Sequence, residues 1–340
     1  MLRALACPDK FRGSLSAEAA TAAIAAGLRA GGIEEVRSLP LADGGEGTLD
    51  ALLGAVGGSR RTLRVTGPLG DPVDADWAVL RNGVAVVEMA RASGLALVDQ
   101  NDPLRASTRG TGELIAAAAR GGAKRIVVAV GGSATTDGGL AAVETLGWSL
   151  AGLDVVVACD VTTPFLAAAT VYGPQKGATA AQVALLGRRL ERLADHYRSR
   201  AGVDVTELEG GGAAGGLAGG LAAIGAVLEP GFEVVAGVVG LEDALAAADV
   251  VVTGEGALDA TSLDGKVVGG VLEWAAELEV AHRAVIAGRA TDDAREAVTA
   301  TGAQVYTLLE RAWSEAEAFE RAAVFVEEAA SEVARSARRG

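Results

Sequence analysis

The sequence predicts an α/β protein with two domains. Short apolar runs alternate with amphipathic helical segments over most of the chain, which is typical of folds built on a parallel sheet. A group of short strand-like segments separated by GPLGDP and RNG interrupts that alternation. The sequence pattern changes near residue 66, which marks a candidate domain boundary. The chain has 340 residues, 50% of them hydrophobic, and this length favours two cores over one.

The first elements follow the strand, loop, helix order of an α/β domain. Residues 2–7 read as a buried strand, and Ser16 is placed to cap the helix that follows. A second strand at 36–41 precedes the loop ADGGEGT, and a helix is predicted over 49–56. The alternating pattern from 61 to 89 predicts an antiparallel meander.

The α/β alternation resumes after the meander. Further strands are predicted at 125–130, 154–159, 249–253, 284–287 and 304–308, and helices at 111–120, 138–146 and 180–198. Capping boxes are predicted at Thr179 with Gln182 and at Ser314 with Glu317, the second of which begins the last helix.

Two segments carry further expectations about packing. The run GGGAAGGLAGGLAAIGA (210–226) predicts either a helix packed through small faces or a loop followed by a helix. In the last helix, Phe319, Val326 and Val333 recur every seven residues and predict a buried stripe.

Composition and charge exclude several classes of protein. A net charge of −14 argues against nucleic acid and anionic membranes as partners. No apolar stretch approaches the roughly 20 residues of a membrane helix, so we expect a cytoplasmic protein. Cys7 and Cys159 are too few for a disulfide framework, and we expect both to be buried, reduced thiols.

A glycine-rich loop, VGGSATTDGG (130–139), connects a predicted strand to a predicted helix. Ser133, Thr135 and Asp137 stand where backbone N–H groups and a helix N-terminus favour an anion, so the loop is a candidate phosphate or carboxylate cradle. The alternative is an ordinary turn in which Asp137 caps the helix.

Two further loops combine glycine with carboxylates. In ADGGEGT, Asp43 and Glu46 are close enough to face one cation, although a solvated acidic turn explains the same residues. In GEGALD, Glu255 and Asp259 precede Lys266, and two acids with a base suit the binding of a magnesium nucleotide. Lysine stands only at four positions, and three of them lie beside glycine in the segments PDKFRG, GPQKG and LDGKV.

Motifs that would indicate other kinds of site are less convincing. Gly210, Gly212 and Gly215 satisfy the G-x-G-x-x-G spacing of a dinucleotide-binding loop, but no convincing strand precedes them. The Walker pattern fails because Val267 follows Gly265 and Lys266. Neither histidine of the chain has a credible metal or triad partner.

Taken together, these motifs resemble the type 1 glycerate kinases. The resemblance is carried, in chain order, by PDKFRGSLSAEAA, LPLADGGEGT, VEMARASGL, STRGTGELI, GGSATTDGG, CDV, GPQKGAT, GGGAAGGL and GEGALDATSLDGK. The chain departs from the family pattern in the segment 162–171. It also departs at Thr261, where glutamine is usual, and at Thr136, where asparagine is usual.

The resemblance implies ATP-dependent phosphorylation of a D-glycerate hydroxyl, with 2-phosphoglycerate as the favoured product. It also implies a flavodoxin-like parallel-sheet domain made from both chain ends (1–66 and 227–340), an inserted mixed α/β domain (67–226), and an active site in the cleft between them. The partner is a small-molecule substrate and the cofactors are ATP and Mg²⁺. Whether the protein is a homodimer is left open.

The resemblance brings these polar residues to one cleft, and the chemistry of phosphoryl transfer predicts that Mg²⁺ is held by one or two carboxylates from Asp43, Glu46 and Glu255. The nucleotide would contact Lys10, Ser133, Thr135, Asp137, Gly254, Asp259 and Lys266. Asp160, ahead of Asp9, would accept the substrate hydroxyl proton, while Lys176 and Arg12, with Lys266, would bind the phosphoryl group and the substrate carboxylate. A kinase for a related hydroxy acid, a dehydrogenase and a non-catalytic anion-binding protein remain alternatives.

Overall fold

The structure, a computed structural model, describes residues 1–339. Its strands are β1 (Arg3–Ala6), β2 (Glu35–Ser38), β3 (Gly58–Thr66), β4 (Pro72–Leu80), β5 (Ala85–Glu88), β6 (Arg125–Ala129), β7 (Asp154–Ala158), β8 (Val227–Glu229), β9 (Val250–Leu258), β10 (His282–Ala290) and β11 (Gln304–Thr307).

The α-helices follow the same chain order. They are α1 (Ala17–Ala30), α2 (Thr48–Val56), α3 (Ala90–Ser93), α4 (Arg109–Arg120), α5 (Leu140–Thr145), α6 (Ala168–Tyr172), α7 (Ala180–Ala201), α8 (Ala213–Ala223), α9 (Gly231–Val239), α10 (Leu241–Ala246), α11 (Val267–Glu277), α12 (Asp292–Ala300), α13 (Glu315–Glu320) and α14 (Ala322–Ala337). In the part of the chain that is described, none of them carries an apolar run long enough to cross a membrane.

The chain divides into two compact units, and the first is discontinuous. It comprises residues 1–43, 50–55 and those from Val235 onward. Its sheet has the order β2-β1-β9-β10-β11, with every neighbouring pair parallel. Numbered along this unit, the order is 2-1-3-4-5, which is the flavodoxin-like arrangement. The predicted α/β class and parallel sheet are confirmed.

Helices cover both faces of the first unit's sheet because side chains alternate along each buried strand. Ala284 and Ile286 of β10 pack with α1 and α14, whereas Val285 and Ala287 pack with α11 and α12. α1 and α14 approach so closely that a Cβ at Gly27 would overlap the backbone oxygen of Glu327. Glycine is therefore required at that crossing.

The second unit comprises residues 44–49 and 56–234 and is built on a mixed sheet. The strand order is β3-β4-β5-β6-β7-β8; the pairs β3–β4 and β4–β5 are antiparallel and the remaining pairs are parallel. The predicted antiparallel meander is thus confirmed. Its strand β3 pairs along its length with β4, so residues 58–66 belong to this unit rather than to the flavodoxin-like part, and the unit ends at 234 rather than 226.

Three local expectations are corrected or decided. The last helical segment is two helices: α13 ends at Glu320, and Arg321, which is not in helical geometry, separates it from α14, which begins at Ala322. Phe319 is 53% exposed, so the predicted buried stripe is wrong at that residue and right for Val326 and Val333. Cys7 is buried as expected, but Cys159 is only partly buried.

The glycine-rich run 210–226 is a loop followed by a helix. Ala214, Gly215 and Gly216 have left-handed backbone conformations, and regular helical geometry begins after them. The segment before the run is a short 3₁₀ turn at Val205–Glu207 and not a strand. The dinucleotide-binding alternative lacks the strand that its geometry requires.

Candidate active site

In each unit the candidate residues follow the carboxyl ends of parallel strands, where open α/β sheets bind their ligands. In the first unit, Asp9 follows β1, Asp43 follows β2, and Glu255 lies on β9. Because β1 and β9 are paired neighbours, Asp9 and Glu255 are brought together from opposite ends of the chain, and the Asp9 amide donates to the carbonyl of Gly254 at 2.9 Å.

Asp9, Lys10 and Asp43 form a charged cluster. The Lys10 Nζ lies 4.0 Å from Asp9 Oδ1 and 3.9 Å from Asp43 Oδ1. The backbone amide of Lys10 also donates to Asp9 Oδ1 at 2.7 Å. Burial raises the pKa of Asp9 to about 6, against the lowering effect of the Lys10 charge. Asp9 is therefore a carboxyl group that exchanges its proton close to neutral pH.

Glu255 is the second perturbed carboxyl group of this cluster. Burial raises its pKa to about 7, the negative charge of Asp9 adds to the effect, and a hydrogen bond with Ser262 and the charge of Lys266 oppose it. Its Oε1 atom is buried and has no hydrogen-bond partner. A buried acceptor without a donor is a position at which a cation would be stabilised.

The turn after β9 positions Lys266. Asp259 Oδ1 accepts from the amide and the hydroxyl of Thr261, at 2.8 and 2.7 Å, and these bonds lower the pKa of Asp259. The hydroxyl of Thr261 in turn accepts from Lys266 Nζ at 3.1 Å. The predicted neighbourhood of two acids and a base is therefore present. Asp259 acts there as the cap of the turn, and Thr261, at the position where the family usually has glutamine, orients the lysine.

Gly254 lies inside β9 and has a packing role. A Cβ at this position would overlap the carbonyl oxygen of Ile286 on the neighbouring strand β10. The residue allows close approach of the two strands beside Glu255, and its own carbonyl accepts from Asp9. Its predicted contact with a nucleotide stays a prediction.

In the second unit, the loop after β6 is attached to the segment that follows β5. The Ala134 amide donates to Ser93 O at 3.0 Å, and the Leu95 amide donates to Gly132 O at 2.9 Å. Ser133 forms an isolated antiparallel bridge with Gly94. The blocks VEMARASGL and GGSATTDGG, which are far apart in sequence, therefore form one surface.

Lys176 is the cation of this surface. Its side chain is only 3% exposed, and its Nζ donates to the carbonyl of Thr135 at 2.6 Å. Burial lowers the pKa of Lys176 to about 8, and the negative charge of Asp137 partly offsets that effect. The sequence reading of Lys176 as a loop lysine aimed at a ligand is compatible with this position, whereas a solvated lysine is excluded.

Both carboxylate oxygens of Asp137 accept hydrogen bonds that stabilise the glycine-rich loop. Its Oδ2 accepts from the amide and the hydroxyl of Thr108, at 2.8 and 2.9 Å, and its Oδ1 accepts from the Gly139 amide at 3.1 Å. Burial raises its pKa, and the Thr108 bonds act in the opposite direction. The following helix, Leu140–Thr145, is a single short segment, so the geometry agrees better with the turn interpretation of Asp137 than with a phosphate site at a helix N-terminus.

Asn101 is a residue of this site that the sequence analysis did not identify. Its Nδ2 donates to Ala134 O at 3.0 Å and to Lys176 O at 2.9 Å, and it thereby connects the glycine-rich loop to the lysine segment. Its Oδ1 and the hydroxyl of Thr136 are both buried without a partner. Asn101 lies in an irregular polar segment, DQNDPL, whose composition predicts only a loop, so no sequence signal identified it.

Two further candidates lie in the same unit. Asp160 follows β7, and its Oδ1 accepts from the Gly231 amide at 2.6 Å, which connects it to the start of α9. Glu46 lies against Gly132, where a Cβ would overlap its carboxylate. Asp43 and Glu46 fall in different compact units, so their sharing of one cation stays a prediction.

The residues fit a magnesium ion in part. Among residues 1–339 no group of three or more His, Cys, Asp or Glu side chains is arranged to hold a metal, so the protein offers no complete cage. Mg²⁺ is usually held by one or two carboxylates together with substrate phosphates and water. The buried, unpartnered Oε1 of Glu255 and the neighbouring acids satisfy that weaker requirement.

Comparisons with known proteins agree with this geometry. The chain matches the glycerate kinase family over residues 4–154 and 148–338. It is 39% identical to the glycerate 2-kinase of Escherichia coli K12, with 86% of each chain covered, and 37% identical to the glycerate kinase of Bacillus subtilis 168, with 98% of this chain and 97% of the relative covered. A crystal structure of putative glycerate kinase 2 from Salmonella typhimurium LT2 superposes with a TM-score of 0.86 at 36% identity, over 100% of this chain and 99% of the other. By sequence and by fold, the chain belongs to the glycerate kinase family.

Proposed function

We propose that this protein is a kinase that transfers the terminal phosphoryl group of ATP to the 2-hydroxyl of D-glycerate. Family membership supports the reaction class. The observation that carries the proposal is the cluster of Asp9, Asp43 and Glu255 with two lysines at the carboxyl ends of neighbouring strands. Phosphoryl transfer depends on positioning and on charge neutralisation, which such a cluster supplies.

In this proposal Asp43 and Glu255 hold Mg²⁺, and Lys10 and Lys266 contact nucleotide phosphates. The bound metal supplies neutralisation of the negative charge on the phosphates. Glu255 suits this role because its unpartnered carboxylate oxygen becomes satisfied once a cation binds. Lys266 suits it because Thr261 holds its ammonium group beside the acidic cluster.

Lys176 provides the buried positive charge of the second unit. An ammonium group removed from water interacts with an anion more strongly than an exposed one does, since the surrounding dielectric screens less. Ser133, Thr135 and Asn101 shape the loop around it. We assign to Lys176 the binding of an anionic oxygen of the substrate or of the transferred group.

For the general base, the geometry favours Asp9 over Asp160, which reverses the order drawn from the sequence. A base works best when its pKa lies near the working pH, and Asp9 has a pKa of about 6. Asp160 is exposed, and one of its oxygens is already engaged with the Gly231 amide. In our assignment Asp160 positions the loop, and Asp9 accepts the hydroxyl proton of the substrate.

The departure from the family pattern at 162–171 is mainly a packing change. Phe165 is fully buried and packs in a core cluster with Leu190 and Tyr197. The hydroxyl groups of Thr163 and Tyr172 are hydrogen-bonded at 2.7 Å and close the segment. Family membership supports glycerate as the substrate, with a related small hydroxy acid as the alternative.

An assay of ADP release with D-glycerate, ATP and Mg²⁺ tests the function. Phosphorus NMR of the product distinguishes the two phosphoglycerates, because phosphorus couples to one proton in the 2-phosphate and to two in the 3-phosphate. Release of ADP with another hydroxy acid but not with glycerate would change the substrate and keep the reaction. Absence of ADP release with every acceptor would contradict the proposal. A homodimer and a cytoplasmic location stay predictions.

A further inference from the structure

A cavity of about 320 Å³ lies in the first unit, at the carboxyl ends of β9, β10 and β11. Its lining includes Phe11, Arg12, Ala257, Arg289, Leu309 and Phe319. Pockets for small organic ligands begin at about this volume and are mostly apolar with a few charged or polar groups. The size and chemistry of this cavity match that description.

The walls of the cavity are apolar and partly open to solvent. Phe319 is 53% exposed and Leu309 is 38% exposed, although both are large hydrophobic side chains. The wall formed by β9 and β10 contains Gly256 and Gly288, and a Cβ at Gly288 would overlap the carbonyl oxygen of Gly256. This wall is therefore formed by backbone atoms. The cavity therefore combines an exposed aromatic ring with a flat backbone surface, an arrangement suited to a planar ring system.

Two arginines, Arg12 and Arg289, and one carboxylate, Glu315, line this apolar cavity, so its formal charge is positive. Arg12 and Arg289 are both exposed, and neither forms an ion pair or a side-chain hydrogen bond with any of residues 1–339. Two unpaired guanidinium groups at one cavity are suited to phosphate oxygens, which they bind in bidentate fashion.

Two lining residues of the cavity lie close in sequence to the carboxylate cluster. Phe11 is two residues beyond Asp9, and Gly256 directly follows Glu255. The cluster and the cavity therefore belong to the same unit and are separated by at most two residues along the chain at these two points. Glycerate, with a few carbon atoms that all carry oxygen, would leave the apolar walls unfilled.

We propose that this cavity binds the purine base and ribose of the nucleotide, with Phe319 against the base and Arg12 and Arg289 on the phosphates. The inference rests on the proposed function, because that function supplies a nucleoside triphosphate as the ligand. It adds the location of the base and assigns four residues, Phe319, Leu309, Arg12 and Arg289, to nucleotide recognition. The triphosphate then extends toward Lys10, Glu255 and Lys266.

The test compares a ligand that has a base with one that lacks it. Calorimetry on the full chain, with Mg²⁺ present, gives the Kd of ADP and of pyrophosphate for the wild type, Phe319→Ala and Arg289→Ala. Val324→Ala, at a residue 43% exposed on α14, and Arg37→Ala, at an exposed arginine of β2, are the matched controls outside the cavity. All four side chains are exposed enough for the variants to fold, which a thermal unfolding scan checks.

Phe319→Ala should raise the Kd of ADP about tenfold and leave the Kd of pyrophosphate unchanged, because stacking acts on the base alone. Arg289→Ala should weaken both ligands by about tenfold, since each carries the phosphates. The controls should change neither. Unchanged ADP affinity in Phe319→Ala and Arg289→Ala would overturn the inference, and equal weakening of both ligands in Phe319→Ala would also contradict it.

The two proposals fail in different ways. If the wild type phosphorylates glycerate while the cavity variants bind ADP normally, the cavity assignment is wrong and the function stands. If ADP binding depends on Phe319 but no hydroxy acid is phosphorylated, the cavity assignment stands and the function is wrong.

Discussion

The ammonium group of Lys176 donates a 2.6 Å hydrogen bond to the carbonyl of Thr135, across 41 positions of sequence. Both residues are buried, and the lysine shares its surroundings with the carboxyl group of Asp137. A buried lysine is held near a backbone carbonyl and one acid because a fully isolated charge would be far less stable there. The contact makes the glycine-rich loop and the segment GPQKG one structural element.

Lys176→Ala should lower kcat by about 10² or more, the usual effect of removing one charge-stabilising donor. Lys124→Ala is the matched control, because Lys124 is an exposed lysine of the same unit. Steady-state kinetics of ADP release measure both variants. A Lys176→Ala enzyme that turns over at the wild-type rate would place Lys176 outside the active site.

The rate should follow a bell-shaped dependence on pH. Asp9, with a pKa of about 6, must lose its proton to act as a base, so kcat/KM should rise through that value. Lys176, with a pKa of about 8, must keep its proton to bind an anion, so kcat/KM should fall above it. Measurements from about pH 5 to about pH 10 test both limbs. A flat profile above neutral pH would contradict the assignment of Lys176.

The sequence was sufficient for the α/β class, the meander and most element positions, because periodicity and caps act locally. The capping box at Thr179 and Gln182 and the Ser16 cap are present as predicted. Local signals failed where a distant residue decides the outcome. Phe319 has the heptad spacing of a core residue, but the chain turns at Arg321 and leaves its ring on the surface of a cavity.

The sequence predicted the types of residue that belong to the candidate site, but it did not predict the role of each residue. Asp137 and Asp259 stand in loops that read as ligand-binding, yet each carboxylate is occupied by a nearby threonine. Those threonines follow no pattern that separates a cap from a ligand contact. The perturbed carboxyl groups of Asp9 and Glu255 depend on burial that arises only when β1 and β9 pair across the chain. Burial of that origin has no sequence signature.

Glu255→Gln should make the metal-free protein more stable at about pH 8, while activity is lost. The pKa of Glu255 is raised to about 7 from 4.5, so the native state favours the protonated form, and stability is lost as pH rises through about 7. Glutamine does not titrate, and the variant should gain about 1–3 kcal/mol above that pH and nothing below about pH 4. Thermal unfolding with a chelator present measures the difference.

Glu273→Gln, at an exposed glutamate of α11, is the control for charge alone. It should change stability by less than about 0.5 kcal/mol at either pH. If Glu255→Gln and the wild type unfold at the same temperature at about pH 8, burial does not destabilise the ionised carboxylate of Glu255. A cation bound at its Oε1 would then have no physical support.

Gly215→Ala should destabilise the protein by about 2–4 kcal/mol and also lower activity. Gly215 has φ +68°, and a Cβ would overlap the carbonyl oxygen of Thr135, the acceptor of the Lys176 hydrogen bond. The loop would have to move, and Lys176 with it. Denaturant unfolding and kinetics measure the two effects.

Gly187→Ala gives the opposite expectation. Gly187 lies within the helix α7, and a Cβ there meets no atom within 4 Å. Alanine should stabilise that helix by about 0.5–1 kcal/mol without changing kcat. A Gly215→Ala variant as stable as the wild type would show that the loops do not pack as closely as described.

The assignment of the general base is decided by comparing Asp9→Asn with Asp160→Asn. Asparagine keeps a side-chain oxygen, so the Asp160 variant can still accept from the Gly231 amide, and its stability should change by less than about 1 kcal/mol. It should therefore keep most of its activity. Asp9→Asn removes the proton acceptor and should lower kcat by about 10²–10⁴, with little change in the KM for glycerate.

The acidic limb of the pH profile separates a base from a group that only positions others. In Asp9→Asn the residual rate should no longer rise through about pH 6, because the group that titrates there is absent. Asp160→Asn should keep the limb unchanged. The reverse pattern, a lost limb in Asp160→Asn and an intact one in Asp9→Asn, would restore Asp160 as the base and leave Asp9 a role in charge balance beside Lys10.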